Sequence, residues 1–378
     1  MTISLPPGLL PEGLSDRLPP VAEASARLSR DVLDTVAAHG YGRVMPPLAE
    51  FEETLTRRLQ SAGAEDLLRV VDPISQRTLA LRPDMTAQVG RIAATRLARA
   101  PRPLRLCYGG PVMRLRADQL HPERERMQLG AELIGSDSVA AAVEIVNVAI
   151  EALRHAGVEG ITIDFTLPDL VDCLADGPMP VTADEREGLR DRLDAKDAGA
   201  VAALGEGAAA YLPLIAVAGP FHAAMERLEA FDAGVAGGAI ASRIEGLRAI
   251  AKPIGWDIRL TLDPTERHGF EYQRWFGFSI FADGFIGEIG RGGSYAIRRD
   301  DGGMEPAMGF SLYPDPLIDA GFGRTERKCL FLPLGHDAER AKALRGEGWV
   351  TVAALAAGDD GRALGCGYWL NDGVVTAY

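Results

Sequence analysis

Cysteine is scarce: Cys107, Cys173, Cys329 and Cys366 are the only four in 378 residues. They stand far apart with no CxxC pair, so neither a structural zinc site nor a disulfide framework is suggested. The expectation is four reduced thiols in a cytoplasmic protein. Long apolar runs are missing too. None approaches the ~20 residues a membrane helix requires, and the alanine-rich segment 139–153 is broken by Glu144, Asn147 and Glu151. The Pro-rich N-terminus has no basic flank before an apolar run, which argues against a signal peptide. Basic side chains number 40 against 53 acidic ones, a formal net charge of −13. Nucleic-acid affinity rests largely on basic groups displacing counterions from phosphates. With no Lys/Arg-rich stripe to offset the charge, tRNA is a poor partner. No internal repeat of 20–50 residues is visible either.

What remains reads as an α+β chain of about two domains. After the Pro- and Gly-rich leader, Val21 to His39 forms an amphipathic pattern with Leu28, Val32, Leu33 and Val36 on one face, and Gly40 stops it. Tyr41 to Pro47 reads as a strand closed by prolines. Leu68 to Arg82 reads as a hairpin turning at Asp72-Pro73, Met85 to Ala100 as a helix, and Leu104 to Tyr108 as a strand. A long helix is expected from a cap at Asp137 or Ser138 to Gly157. Strands follow at Ile161–Phe165, Asp257–Leu262, Phe276–Phe281 and around Ile286–Ile289. Between them, 167–254 is an alanine-rich helical insertion without a chemical motif. From Lys328 onward a small α/β unit is expected, ending in a hairpin around Asn371-Asp372-Gly373.

Several residues could carry chemistry. Asp84 and Thr86 leave a strand edge and could receive an ammonium group, or could simply cap the helix beginning at Met85. Arg114 follows a Gly-Gly-Pro turn with a guanidinium fork suited to carboxylate or phosphate, or is a surface arginine. In a strand over 126–134, Gln128 and Glu132 share a face with Gly130 between them. That glycine would leave room for a small cationic or amino-acid group; a solvated sheet face is the plainer account. Gly287 to Tyr295 is a glycine-rich turn but not GxGxxG, so a dinucleotide site is not indicated. It either lets backbone approach a ligand or forms a tight hairpin. His268 has no partner at triad or metal-ligand spacing.

In order and spacing these segments resemble the histidyl-tRNA synthetase family over about residues 9 to 318. They most closely resemble its paralogous family, the regulatory subunits of ATP phosphoribosyltransferase. Carrying that likeness are Leu9-Leu10-Pro11-Glu12-Gly13, the run Leu81 to Arg91, and Glu271-Tyr272-Gln273 followed by Gly290-Arg291-Gly292-Gly293. The run has Asp84-Met85 where synthetases usually have Glu-Gly. The resemblance implies a class II synthetase-like domain over 1–320, its mixed, mainly antiparallel sheet flanked by helices, with the small unit at 328–378. It further implies that Asp84, Thr86, Gln128, Glu132, Tyr272 and Tyr295 outline a histidine pocket. Arg114 matches the arginine that grips the ATP α-phosphate. No cofactor or metal is implied.

The departures point away from catalysis. The synthetase motif Arg-Gly-Leu-Asp-Tyr-Tyr corresponds to His268-Gly269-Phe270-Glu271-Tyr272-Gln273, which lacks its arginine and second tyrosine. The third motif ends Gly-Leu-Glu-Arg in the enzymes and Tyr313-Pro314-Asp315-Pro316 here, and the prolines should break the helix that presents the arginine. Arg116 replaces a glutamate, and the tail after Lys328 is too short and too poor in basic residues for a full anticodon-binding domain. The resemblance therefore implies a non-catalytic subunit with a homodimer core, partnered by the short catalytic subunit, with L-histidine as effector. An active histidyl-tRNA synthetase and a free-standing amino-acid sensor are the competing expectations.

Overall fold

The computed structural model describes residues 8–57, 67–116, 123–267, 273–299 and 301–378. Two compact units divide the chain, Met1–Gly323 and Arg324–Tyr378. The first is built on a nine-stranded sheet in the order β1-β5-β6-β12-β11-β10-β7-β9-β8. Its strands are β1 (Gly42–Arg43), β5 (Leu104–Met113), β6 (Glu125–Ile134), β7 (Ile161–Thr166), β8 (Gly219–Pro220), β9 (Arg259–Leu262), β10 (Gly277–Ala282), β11 (Gly290–Arg298) and β12 (Met304–Leu312). Only the β1–β5 and β7–β9 pairings are parallel. A separate three-stranded sheet joins β2 (Ala49–Phe51), β3 (Arg69–Val71) and β4 (Thr78–Leu81), with the expected turn at Asp72 between the last two.

Helices α1 (Val21–Ala38) and α4 (Val139–His155) cover one face of the large sheet. Leu28, Val32, Leu33 and Val36 of α1 are buried there as their spacing demands, against Leu129, Leu133 and Phe310 of the strands. Ser138 caps α4, its Oγ accepting from the Ala141 N–H at 3.2 Å. The opposite face carries α3 (Thr86–Ala94), whose Val89 and Ala93 pack with Leu106, Tyr108, Ile134 and Tyr295. Short α2 (Glu52–Arg57) belongs to the small sheet. The insertion is helical: α5 (Leu170–Ala175), α6 (Ala183–Asp194), α7 (Ala198–Ala202), α8 (Glu206–Ala209), α9 (Phe221–Phe231) and α10 (Ala241–Ala251). A capping box between Thr182 and Glu185 starts α6.

Four expectations need correction. Of the glycine-rich stretch, 290–295 is strand, flanked by β10 and β12, and only 287–289 lies in the connection before it. A Cβ at Gly292 would lie 2.5 Å from both the Gly309 carbonyl oxygen and the Phe278 ring. Only glycine fits, so these glycines serve packing rather than a bend. Consequently 286–289 is the turn between β10 and β11, and no strand lies there. Next, α3 stops at Ala94, where the Thr95 hydroxyl donates to the Arg91 carbonyl. Finally, Pro314 and Pro316 do not break a helix. They open a short one, α11 (Asp315–Asp319), standing at its N-cap and second position, where a missing N–H costs nothing.

The second unit has its own sheet, β14-β13-β15-β16. Strands β13 (Cys329–Leu332), β14 (Val350–Ala353) and β15 (Tyr368–Asn371) run parallel, and β16 (Val374–Ala377) returns antiparallel. Helix α12 (Ala338–Gly346) starts at an Asp337 cap, and Leu330, Leu332, Leu344 and Leu370 form the core. Asp372 and Gly373 both adopt positive φ, as a two-residue hairpin turn requires.

Candidate ligand-binding site

Register brings the candidate residues together. In antiparallel pairs, directly opposed residues point to the same face. Tyr108 opposes Gly130, Gly130 opposes Ser311, and Ser311 opposes Arg291. One step along, Glu132 opposes Gly309, which opposes Gly293. All of them point toward α3, whose N-terminus brings Asp84 and Thr86 over the same strands.

Glu132 is the centre. It is 1% exposed, and the Tyr108 and Tyr295 hydroxyls meet its two oxygens at 2.9 and 2.7 Å. Burial pushes its carboxyl up to about 8, with Asp84 adding repulsion and the tyrosines opposing the shift. At neutral pH this carboxyl therefore holds its proton. The Tyr108 oxygen can accept that proton's hydrogen bond, since its own hydroxyl lies 3.3 Å from both Thr86 Oγ1 and Ser311 Oγ. Gln128 stands behind the cleft, and its side chain is spent on the protein. Its Oε1 accepts from the Met85 N–H, and its Nε2 donates to Asp84 and Ser311. It orients Asp84, which also accepts from the Thr86 N–H at 2.7 Å. Asp84 thus lines the cleft and accepts from the first N–H of α3, while Met85 stands at the N-cap without a side-chain cap.

The space beside Gly130 is not left for a ligand. The Tyr108 ring fills it, and a Cβ there would lie 2.5 Å from the Tyr108 hydroxyl and 2.6 Å from the Phe310 carbonyl oxygen. Gly130→Ala should therefore cost about 1–3 kcal/mol of stability by overpacking. The check is a lowered urea midpoint at unchanged m; an unshifted midpoint would mean Tyr108 does not sit over this glycine.

Asp84, Thr86, Glu132, Gln273, Arg291, Gly293, Tyr295 and Ser311 line the resulting cleft. Counted with the space open to solvent, it spans about 300 Å³. A wider groove of about 1500 Å³ borders α9, α10 and β9, but its lining is mostly apolar, and its Arg248 and Glu229 pair with each other. Convergent buried polar groups single out the smaller cleft. Sequence reading did not single out Tyr108 or Ser311, whose partners lie 24 and 183 residues away. Tyr272, His268 and the rest of 268–272 lie outside the described residues.

Tyr313 also lines the cleft. The Arg126 guanidinium stacks 4.4 Å from the Tyr313 ring centroid. Asp315, at the start of α11, accepts from the Met127 N–H and pairs with Arg17. No arginine stands in the sequence of α11. Arg114 does not line the cleft; its backbone N–H donates to the Arg124 carbonyl at 2.8 Å. Among the described residues there is no cluster of metal-ligand side chains and no helix long and apolar enough to cross a membrane.

The sheet order, the flanking helices and the placement of this cleft define a class II aminoacyl-tRNA synthetase-like protein. The histidyl-tRNA synthetase family model matches residues 13–317. Among solved structures, an ATP phosphoribosyltransferase regulatory subunit/histidyl-tRNA synthetase from Bacillus halodurans superposes with a TM-score of 0.79 at 22% identity, over 96% of each chain. A histidyl-tRNA synthetase from a Nostoc species gives a TM-score of 0.76 at 15% identity, over 96% of this chain and 90% of that one. Sequence relatives are nearer. The ATP phosphoribosyltransferase regulatory subunit of Rhodospirillum centenum is 43% identical over 95% of this chain and 94% of its own length. That of Paramagnetospirillum magneticum is also 43% identical, over 99% of both. The chain belongs to the family of ATP phosphoribosyltransferase regulatory subunits, the histidyl-tRNA synthetase-like branch of the class II fold.

Proposed function

We propose that the chain is the non-catalytic regulatory subunit of ATP phosphoribosyltransferase. In this reading the short catalytic subunit depends on it for full activity and for feedback inhibition by histidine in the first step of histidine biosynthesis. The observation that carries the reading is the contrast within one site: a polar cleft is assembled around Glu132, while Tyr313 beside it carries the Arg126 guanidinium on its ring and α11 holds no arginine. Such a cleft can hold an amino acid without activating it. Asp84 and Thr86 would take the ammonium group, and Glu132 and Tyr295 would surround the rest. Gln128 would hold Asp84 in place.

An effector acts only through a difference in affinity between two states of the complex. Histidine bound here would have to favour the less active arrangement of the catalytic subunit. A homodimer core is part of the proposal. Val70, Val71 and Ile74 stand exposed on the β3–β4 hairpin, an apolar surface suited to a second copy. The complex is placed in the cytoplasm, without nucleic acid or membrane.

Reconstitution tests the proposal. Adding the chain to the purified catalytic subunit should raise the rate of ATP condensation with phosphoribosyl pyrophosphate by roughly 5–150-fold, the usual span of allosteric coupling. It should also confer inhibition by histidine. A rate and histidine sensitivity that ignore the added chain would overturn the assignment. Failure of the two chains to co-purify would point to a free-standing sensor.

A further inference from the structure

Cys329 and Cys366 stand far apart in the chain, but the fold of the second unit brings their thiols together. Cys329 is the first residue of β13, and Cys366 lies in the connection that leads into β15. These two strands run parallel, with Leu330 opposite Tyr368 and Phe331 opposite Trp369. One step back along both strands, that register sets Cys329 beside the 366–367 backbone. Neighbouring strands lie about 4.7–4.9 Å apart, inside the Cα separation of about 4.4–6.8 Å that a disulfide spans. The two thiols are in hydrogen-bonding contact, and both are free. Cys366 is 4% exposed, whereas Cys329 is half-buried.

The connection 354–367 holds no strand or α-helix. Its hydrogen bonds are largely local. The Leu355 and Ala356 N–H groups donate to Asp359, the Arg362 N–H to Asp360, and the Cys366 N–H to the Gly361 carbonyl. It meets the sheet at Gly361, where a Cβ would lie 2.5 Å from that of Phe331. It meets it again at Arg362, whose guanidinium lies 5.1 Å from the Tyr378 ring centroid. Segments held by local hydrogen bonds and few buried contacts are the first part of a domain to open.

We propose that Cys329 and Cys366 form a redox modification site: a small-molecule disulfide oxidises them to an intramolecular disulfide that staples the 354–367 connection to β13. Cys329, the more accessible of the two, reacts first. As a thiolate it attacks the oxidant, forms a mixed disulfide and releases one small thiolate. The Cys366 sulfur then attacks the Cys329 sulfur and releases the second. The two protons given up by the cysteines go to the two departing thiolates, so two protein thiols are oxidised while one disulfide is reduced. Burial, reinforced by the adjoining Cys329 thiol, pushes the Cys366 thiol up to about 12. That suits it to the second step, in which a sulfur already beside it makes proximity stand in for a large thiolate fraction. Disulfides of proteins in reducing compartments are mostly of this transient kind. Cys107 and Cys173 lie in β5 and α5 of the other unit and serve as internal controls.

The test treats the full chain with oxidised glutathione, quenches it in acid, counts its thiols and maps its peptides by mass. Two of the four thiols should disappear, with no glutathione retained and one peptide pair linking Cys329 to Cys366. Dithiothreitol should restore all four. In Cys366→Ser the reaction should stop at glutathione on Cys329, and in Cys329→Ser the Cys366 thiol should survive. Tryptic cutting after Arg362 in the native chain should slow roughly 10-fold or more on oxidation, because cutting follows the opened population and a disulfide suppresses opening. Four surviving thiols, glutathione on both cysteines without a link, or a link through Cys107 or Cys173 would overturn the proposal. Each of these is read on the unaltered chain, so it holds whether or not the variants fold. A linked chain cut as fast as the reduced one would overturn the stapling of the connection.

Discussion

Histidine-dependent ATP–pyrophosphate exchange by the purified chain is expected to run about 10⁴–10⁶-fold below that of a competent synthetase. Adenylation develops charge on a transferring phosphoryl group, and positioned arginines or metal ions must meet it. Each preorganised donor is worth about 10²–10³-fold in rate. Two are missing from the sequence, one at His268 and one in the run Tyr313-Pro314-Asp315-Pro316. Arg126 and Tyr313 are both buried and stacked on one another, and Asp315 is held by Arg17 and the Met127 N–H. Exchange is read as the histidine-dependent incorporation of labelled pyrophosphate into ATP. Robust exchange would make the chain an active synthetase and would sink the non-catalytic reading.

The second large effect is a pH dependence of stability that disappears in Glu132→Gln. Unfolded, a glutamate ionises near 4.5; folded, Glu132 does so at about 8 because it is buried. The native state therefore holds a proton that the unfolded state releases between those values. The stabilisation is complete below pH 4.5 and is lost as pH rises through about 8, at up to about 1.4 kcal/mol per pH unit. Glu266, pushed up to about 7 by burial and by Asp164 and Asp263, slopes the same way. The diagnostic quantity is therefore the difference between parent and variant. Urea unfolding from pH 5 to 8 should show the parent losing a few kcal/mol more than Glu132→Gln. Parallel curves would mean that Glu132 is ionised in the folded protein.

How much of this could be read beforehand depended on how local the cause was. Period-two alternation placed Gln128 and Glu132 on one face of β6, because the pleat alone decides that. It could not say what fills the gap at Gly130, since the Tyr108 ring arrives from another strand. The glycines of β11 looked like a turn because glycine usually weakens a strand. Their actual cause, the Phe278 ring and the Gly309 carbonyl, appears only once the three strands are side by side. Pro314 and Pro316 were legible as helix-incompatible residues, but their position within the helix reverses the outcome. Gln273 could be seen as a departure from the synthetase pattern. That its amide oxygen lacks a donor could not.

The strand order β5-β6-β12-β11 has one more consequence. Glu132, Tyr108, Ser311 and Tyr295 hang from adjacent central strands whose reverse sides bear on α1 and α4. Altering that floor disturbs the packing on which the whole domain depends. The five-residue α11, by contrast, stands outside the sheet, and it can change while the sheet stays folded. A chain of this design can shed catalysis cheaply and give up recognition only at the risk of unfolding.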